Sequence, residues 1–212
     1  MTSQDRSKKL IAPLLLCLLW AFLRFFLMMK IRRFIFQNVE LGEAEKILCN
    51  HALIVLEAAI LFLPFLLFKR LKWVQGFPLS GNIGHSARQG LIYGLLIFLT
   101  IIPVAFYFGM KFSPQFSIPD AVGNLFSNGA EEIIYRGILF SAALSLFKKP
   151  WFALIASAAS FGFGHWDLPF LFQIYIVFVG LILGVLCLRT KSLLAPYIAH
   201  MIADLLADSF FH

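Results

Sequence analysis

Six ionisable residues stand on three apolar segments in the second half of the sequence. They are Glu131, Glu132, Arg136, His165, His200 and Asp204. A charged side chain at the depth of a bilayer costs at least about 2.5–3.5 kcal/mol, so ionisable residues in such segments usually have a function. Carboxylates together with histidines can activate a water molecule for hydrolysis. The set therefore predicts a catalytic site.

The two adjacent glutamates, in the stretch GAEEIIYRGILF, differ in their helical neighbours. Glu132 and Arg136 are four residues apart, so on a helix they face each other and can neutralise each other. Glu131 points about 100° away from Glu132 and has no such neighbour. Apolar surroundings favour the protonated form of a carboxyl group, which is how a glutamate becomes a general base near neutral pH. We predict a structural ion pair for Glu132 and a chemical role for Glu131.

The neighbours of the two histidines indicate whether these residues have a catalytic role. A single histidine in a membrane segment is more often a packing residue. Here, however, His200 and Asp204, in PYIAHMIAD, lie four residues apart on one helical face, and Phe161 lies one turn before His165 in FGFGHWD. Two histidines and an aspartate on segments other than that of the glutamate favour a catalytic set over scattered packing.

The three motifs are similar to those of a known family. The order Glu131-Glu132-x-x-x-Arg136, Phe161-x-x-x-His165 and His200-x-x-x-Asp204 resembles the CPBP (CAAX protease or Abi) family of intramembrane glutamic endopeptidases. That family includes the type II CAAX prenyl endopeptidases and their bacterial relatives. The resemblance covers about residues 120–209, and the first three apolar segments carry none of it.

The resemblance implies a peptidase that needs no cofactor and acts inside the membrane. It gives Glu131 the role of the base that deprotonates the attacking water, and His165 that of holding and activating this water. His200 and Asp204 would stabilise the oxyanion. Glu132 and Arg136 would orient the first motif.

The resemblance also implies a substrate, a membrane-proximal protein or peptide. It could be a prenylated CAAX protein, a leader peptide or a C-terminal sorting signal. The sequence departs from the family at Asp204, where Asn is common. An Asn amide can donate to an oxyanion, whereas Asp donates only when it is protonated.

Zinc chemistry is the alternative for the same residues. Two histidines and a carboxylate can hold Zn²⁺ with one position open for water. The sequence contains no H-E-x-x-H, and the ligands would come from three separate helices. We therefore expect no metal.

Two functions without hydrolysis also fit a membrane protein of this kind. One is an immunity or scaffold protein that binds a peptide or a partner's helix, and this protein would not need Glu131 as a base. The other is a transporter that uses the ionisable residues as a proton relay. No inverted repeat or pair of broken helices supports a transporter.

The elements that must position these residues are membrane helices. The 212 residues are 60% hydrophobic, above the roughly 45–50% of soluble domains. Basic residues lie between the apolar segments and form no single patch, so the net charge of +7 predicts lipid contact rather than nucleic-acid binding. Seven apolar segments are visible, at about 10–29, 47–68, 88–108, 120–147, 151–168, 170–188 and 193–209.

We therefore predict an all-α, polytopic membrane bundle of about seven transmembrane helices, with the site inside it. Residues 1–119 would form the helices outside the motifs, and residues 120–212 the catalytic core, within one structural unit. More basic residues flank the segments on the side of the N-terminus, which predicts a cytoplasmic N-terminus. The small size favours the plasma membrane of a bacterium.

Two expectations concern the placement of side chains. With the segment ends given above, His165 falls nearer the outer face of the membrane and His200 nearer the inner one. Arg24 and Glu57 are also ionisable and intramembrane. We expect them to stabilise the bundle, paired with each other or along an access path.

Overall fold

The described part of the chain is a bundle of seven helices. The computed structural model describes residues 3–74 and 80–211, with side chains from residue 10 onward. Within these residues there is no β-strand, and the only β-type pairing is a single bridge between Phe112 and Phe211. The prediction of an all-α bundle is confirmed.

Two of the seven helices contain a π-helical turn. Helix α1 runs without a break through Ser3–Phe22, a π segment at Leu23–Met28, and Met29–Asn38. Helix α4 likewise runs through Ile118–Glu132, a π segment at Ile133–Leu139, and Phe140–Phe147. The other five are α2 Glu43–Arg70, α3 Ile83–Tyr107, α5 Pro150–Phe163, α6 Phe170–Thr190 and α7 Leu194–Phe210.

Local chemistry explains several helix starts. The side chain of Glu45 accepts a hydrogen bond from the backbone N–H of Gly42, immediately before α2. The side chains of Asn82 and Ser117 accept hydrogen bonds from backbone N–H groups at the starts of α3 and α4. These bonds satisfy donors that have no partner within the helix.

Within the described residues, four helices are long and apolar enough to cross a membrane. The spans are Leu10–Asn38, Glu43–Arg70, Ile83–Tyr107 and Phe170–Thr190. Their outward faces carry large exposed apolar side chains such as Leu63, at 75% exposure, and Leu99, at 59%. Such a surface suits lipid rather than water. The protein is therefore an integral membrane protein.

Several predicted segment ends were wrong. The first helix continues past residue 29 to Asn38, α2 begins at Glu43 rather than at 47, and α3 begins at Ile83 rather than at 88. Helix α5 ends at Phe163 rather than at 168 and has 14 residues. At about 1.5 Å per residue α5 is roughly 21 Å long, less than the roughly 30 Å of the hydrocarbon core.

Glycines allow the close helix contacts of the second half. A Cβ atom on Gly90 would lie 2.8 Å from the carbonyl oxygen of Ala195, and one on Gly94 would lie 2.9 Å from that of Ala199. Helices α3 and α7 can therefore approach only because both positions lack a side chain. Gly180 of α6 meets Ala158 and Phe161 of α5 in the same way.

Contacts made by helix ends and by the segments between helices distinguish the two ends of the bundle. At one end, Arg32 pairs with Asp167, and the chain after α3 bonds to the end of α7. We call this the Asp167 end. At the other end, the backbone N–H groups of Ser80 and Gly81 donate to the carbonyl oxygen of Lys191. The predicted orientation would place the Asp167 end outside the cell.

Candidate active site

Helix α4 presents the first motif where its α-helical part passes into the π segment. Glu131 and Glu132 close the α-helical part, and Arg136 lies inside the π segment. A π turn changes the backbone bonding, and here the Tyr135 carbonyl oxygen accepts a hydrogen bond of 2.6 Å from the hydroxyl of Ser157 on α5. Single π turns inside helices are frequent at functional sites.

The predicted ion pair between Glu132 and Arg136 is present. Its N–O distance is 2.9 Å, and the two residues are 1% and 2% exposed. The guanidinium also donates to the carbonyl oxygen of Gly180 at 3.2 Å, and its carbon lies 4.4 Å from the ring centre of Phe161. The pair therefore joins α4 to α5 and α6.

His200 is held between carboxylates. Its Nδ1 lies 3.0 Å from Oε1 of Glu132, and its Nε2 lies 3.2 Å from Oδ2 of Asp204. Nε2 is also 3.8 Å from Oε2 of Glu131. Because both ring nitrogens face acceptors, the arrangement suits an imidazolium that donates from both. The Asp204 Oδ2 accepts a second hydrogen bond from the side-chain amide of Asn128, at 3.0 Å.

His165 lies beyond the end of α5, in the turn that leads to α6. Its Nδ1 is 2.8 Å from the carbonyl oxygen of Phe161. A carbonyl oxygen only accepts, so Nδ1 is the donor, and the Nε2 of a neutral ring is left to accept a proton. The F-x-x-x-H spacing therefore fixes the tautomer of His165.

The Phe161 ring lies between the two histidines. Its centre is 5.1 Å from that of His165 and 5.4 Å from that of His200, both edge to face. The two histidines, expected near opposite faces of the membrane, therefore both contact this one ring.

Arg24 of α1 reaches the same site. Its Nη1 lies 3.0 Å from Oε2 of Glu57, its Nη2 lies 3.6 Å from Oε1 of Glu131, and its Nε donates to the Gly164 carbonyl oxygen at 3.1 Å. The expected pairing with Glu57 is confirmed. The contact with Glu131 was missed, although an arginine in a membrane segment was the available signal.

Two cavities meet at Glu131 and His165. The larger has a volume of about 390 Å³ and lies between the polar faces of α4 and α7 on one side and apolar side chains of α3 and α6 on the other. The smaller, of about 160 Å³, lies between α1, α2 and the turn after α5. Glu131, His165 and Ile54 border both cavities. His200 and Asp204 border the larger one.

Other polar side chains lining the larger cavity lie outside the motifs. His51 of α2 lies 2.7 Å from the hydroxyl of Ser127, and the amide of Asn124 donates to Asp208 at 2.8 Å. Asn124 and Asn128 are one turn apart, as are Asp204 and Asp208. This spacing extends the polar wall from the motifs towards the Asp167 end.

The histidines and carboxylates of the site do not have the arrangement of metal ligands. Among residues 3–74 and 80–211, no group of three His, Cys, Asp or Glu side chains is arranged to hold a metal ion. Zn²⁺ binds histidine nitrogens at about 2.0–2.1 Å. Both nitrogens of His200 instead face carboxylate oxygens. A zinc site would therefore need these side chains to rearrange.

The comparison with protein families agrees with the motifs. The family model described as type II CAAX prenyl endopeptidase Rce1-like matches residues 114–206, which contain all three motifs. No curated protein and no solved structure matches the chain. The predicted resemblance to the CAAX protease family is confirmed, and it supports a CAAX-type intramembrane protease in general.

Proposed function

From the match of residues 114–206 to type II CAAX prenyl endopeptidases, we propose that this protein is a glutamate-dependent intramembrane endopeptidase. It hydrolyses a peptide bond in a membrane-associated protein or peptide. The observation that carries the proposal is the larger cavity, which Glu131, His165, His200 and Asp204 all border. A substrate bond in this cavity would meet all four side chains.

In the proposed reaction, water is the nucleophile and Glu131 is the general base. Glu131 takes a proton from a water molecule that the Nε2 of His165 also binds. The water oxygen attacks the carbonyl carbon of the peptide bond, and the carbonyl electrons move to its oxygen. When the oxyanion collapses, the C–N bond breaks and the amine leaves with the proton from Glu131, so a carboxyl group and an amine are released.

His200 stabilises the negative charge that develops on the oxyanion. As an imidazolium between Glu132 and Asp204, this ring brings positive charge next to the reacting carbonyl. Preorganised charge in a site shielded from water is worth more than in bulk solvent. Asp204 and Glu132 hold the ring, and the Asn128 amide holds Asp204.

The shape of the larger cavity supports an extended, membrane-proximal segment as the substrate. Its volume of about 390 Å³ suits several side chains but no folded domain. Prenylated CAAX proteins, leader peptides and C-terminal sorting signals all present such a segment. We propose a bacterial plasma membrane, with the N-terminus in the cytoplasm, as the location.

The test compares the wild type with Glu131→Gln in the same membranes. Both are incubated with a library of tagged, membrane-proximal peptides, and the products are identified by mass spectrometry. We expect products only with the wild type, and their new termini would name the substrate class. Glu40→Gln, at an exposed position, is the control for loss of one carboxylate.

Two further arms separate the alternatives. Cleavage that a chelator abolishes and added zinc restores would favour the zinc protease. A peptide that binds equally to the wild type and to Glu131→Gln, with both folded and neither cutting it, would favour the immunity or scaffold protein. A dependence on the proton gradient would favour the transporter.

A further inference from the structure

In the described part of the chain, two buried polar atoms beside the smaller cavity have no hydrogen-bond partner. They are the side-chain oxygen Oδ1 of Asn50 and the oxygen Oε1 of Glu57, and both residues line this cavity. Glu57 is fully buried. A buried polar atom without a partner costs about 1–3 kcal/mol, so such atoms usually bind ordered water.

The smaller cavity has the size and the polarity to hold water. Each water molecule occupies about 30 Å³ in the liquid, so about 160 Å³ has room for several. A buried water needs two to four polar partners. Besides the two unpaired oxygens, the walls supply the side chains of Arg24, Arg32 and Asp167.

The cavity connects the surface with the catalytic glutamate. Arg32 and Asp167 form an ion pair of 3.1 Å at the outer side, and their side chains are 41% and 43% exposed. At the inner side the lining includes Glu131 and His165, which also border the larger cavity. The lining thus reaches from the exposed pair at the Asp167 end to Glu131 and includes neither His200 nor Asp204.

We propose that the smaller cavity is a water-binding site that supplies the hydrolytic water to Glu131. Arg24 is the positioning residue of its inner wall, because it contacts Glu131, Glu57 and the carbonyl next to His165. Peptide and water then reach Glu131 from different sides. That the water is used for hydrolysis rests on the proposed function. That water is present rests on the cavity alone.

The presence of water can be tested without a substrate. Hydroxyl radicals generated from water in an X-ray beam oxidise methionines that touch water. Met28 lines the smaller cavity and is only 6% exposed, whereas Met110 lines the larger one and is 37% exposed. We expect Met28 to be oxidised at a rate within about tenfold of that of Met110. An unoxidised Met28 in the folded wild type would overturn the proposal.

A pair of size-matched variants tests the supply of water. Leu53→Phe places extra volume in the smaller cavity, and Leu56→Phe places the same volume on the exposed face of the same helix. We expect Leu53→Phe to lower Met28 oxidation and kcat at least about fivefold, with KM unchanged because the peptide lies in the other cavity. Leu56→Phe should change none of these. A wild-type kcat in a Leu53→Phe protein that has lost Met28 oxidation would refute the supply role.

A second variant keeps the proposal testable if Leu53→Phe does not fold. Asn50→Leu removes one polar partner with little change in volume, and we expect Met28 oxidation and kcat to fall in parallel. If Met28 is oxidised but the wild type cuts no peptide, the proposed function is refuted and the water site is retained. If the wild type cuts peptides but Met28 is not oxidised, the water site is refuted and the proposed function is retained.

Discussion

Replacing Arg136 by methionine tests whether the Glu132–Arg136 pair is structural. The methionine keeps much of the apolar stem but removes the charge from a residue that is 2% exposed. The Glu132 carboxylate, 1% exposed, then keeps only its contact with Nδ1 of His200. The hydrogen bond to the Gly180 carbonyl oxygen is lost as well.

The expected loss is large. Removing one partner of a buried ion pair costs about 3–5 kcal/mol, mostly because a charge is left buried and unpaired. In the double variant Glu132→Gln with Arg136→Met, no charge is left behind, and the Gln side-chain oxygen can still accept from His200. We expect the double variant to recover about half of the loss, as it still lacks the bond to Gly180.

The assay is unfolding in mixed micelles with increasing dodecyl sulfate, followed by circular dichroism. Arg32→Met is the matched control, since this arginine belongs to an ion pair more than 40% exposed on both sides. Exposed pairs contribute about 0–1 kcal/mol. An Arg136→Met protein within about 1 kcal/mol of the wild type, or a double variant no more stable than Arg136→Met, would refute the structural role.

Four further results are expected. Glu131→Gln should lower kcat by about 10²–10⁴-fold, the range for a general base, and leave the unfolding midpoint near that of the wild type, measured as above. Asp204→Asn should keep most of the peptide-cleavage rate, because both contacts of Asp204 use Oδ2, which an amide oxygen can replace; a rate as low as that of Glu131→Gln would contradict this. Gly162→Ala should cost about 1–3 kcal/mol of stability in the same unfolding assay, because the new Cβ would lie 2.7 Å from the Gln173 carbonyl oxygen. Gly184→Ala should cost less, because its Cβ would meet only the tip of a side chain. A chelator should leave the cleavage rate unchanged. Loss of cleavage that added zinc restores would instead indicate a zinc protease.

The parts of the site that depend on local spacing could be predicted from the sequence. The Glu132–Arg136 pair needs only an interval of four residues on a helix, and the structure contains it. The same geometry predicts that the neighbouring Glu131 points in a different direction from Glu132, and Glu131 indeed borders the two cavities. Residue types alone also identified three of the segments that line the larger cavity.

Features that depend on distant partners could not be predicted in this way. The π segment of α4 is accompanied by the hydroxyl of Ser157, 22 residues beyond the carbonyl that it binds. The early end of α5 places His165 in a turn, although the apolar segment was predicted to continue to residue 168. Composition therefore identified an apolar helix but could not locate the residue at which this helix ends.

Arg24 shows why the first half of the chain matters for a site whose motifs all lie in the second. The family match begins at residue 114, yet the guanidinium of Arg24 lies 3.6 Å from Glu131 and also binds the carbonyl oxygen before His165. Its charge is balanced by the buried Glu57. At 3.6 Å the contact is longer than a hydrogen bond, so Arg24 brings positive charge to Glu131 and leaves the carboxylate oxygens able to accept from water. The division between residues 1–119 and 120–212 thus describes where the motifs lie, whereas the electrostatics of Glu131 involve both parts.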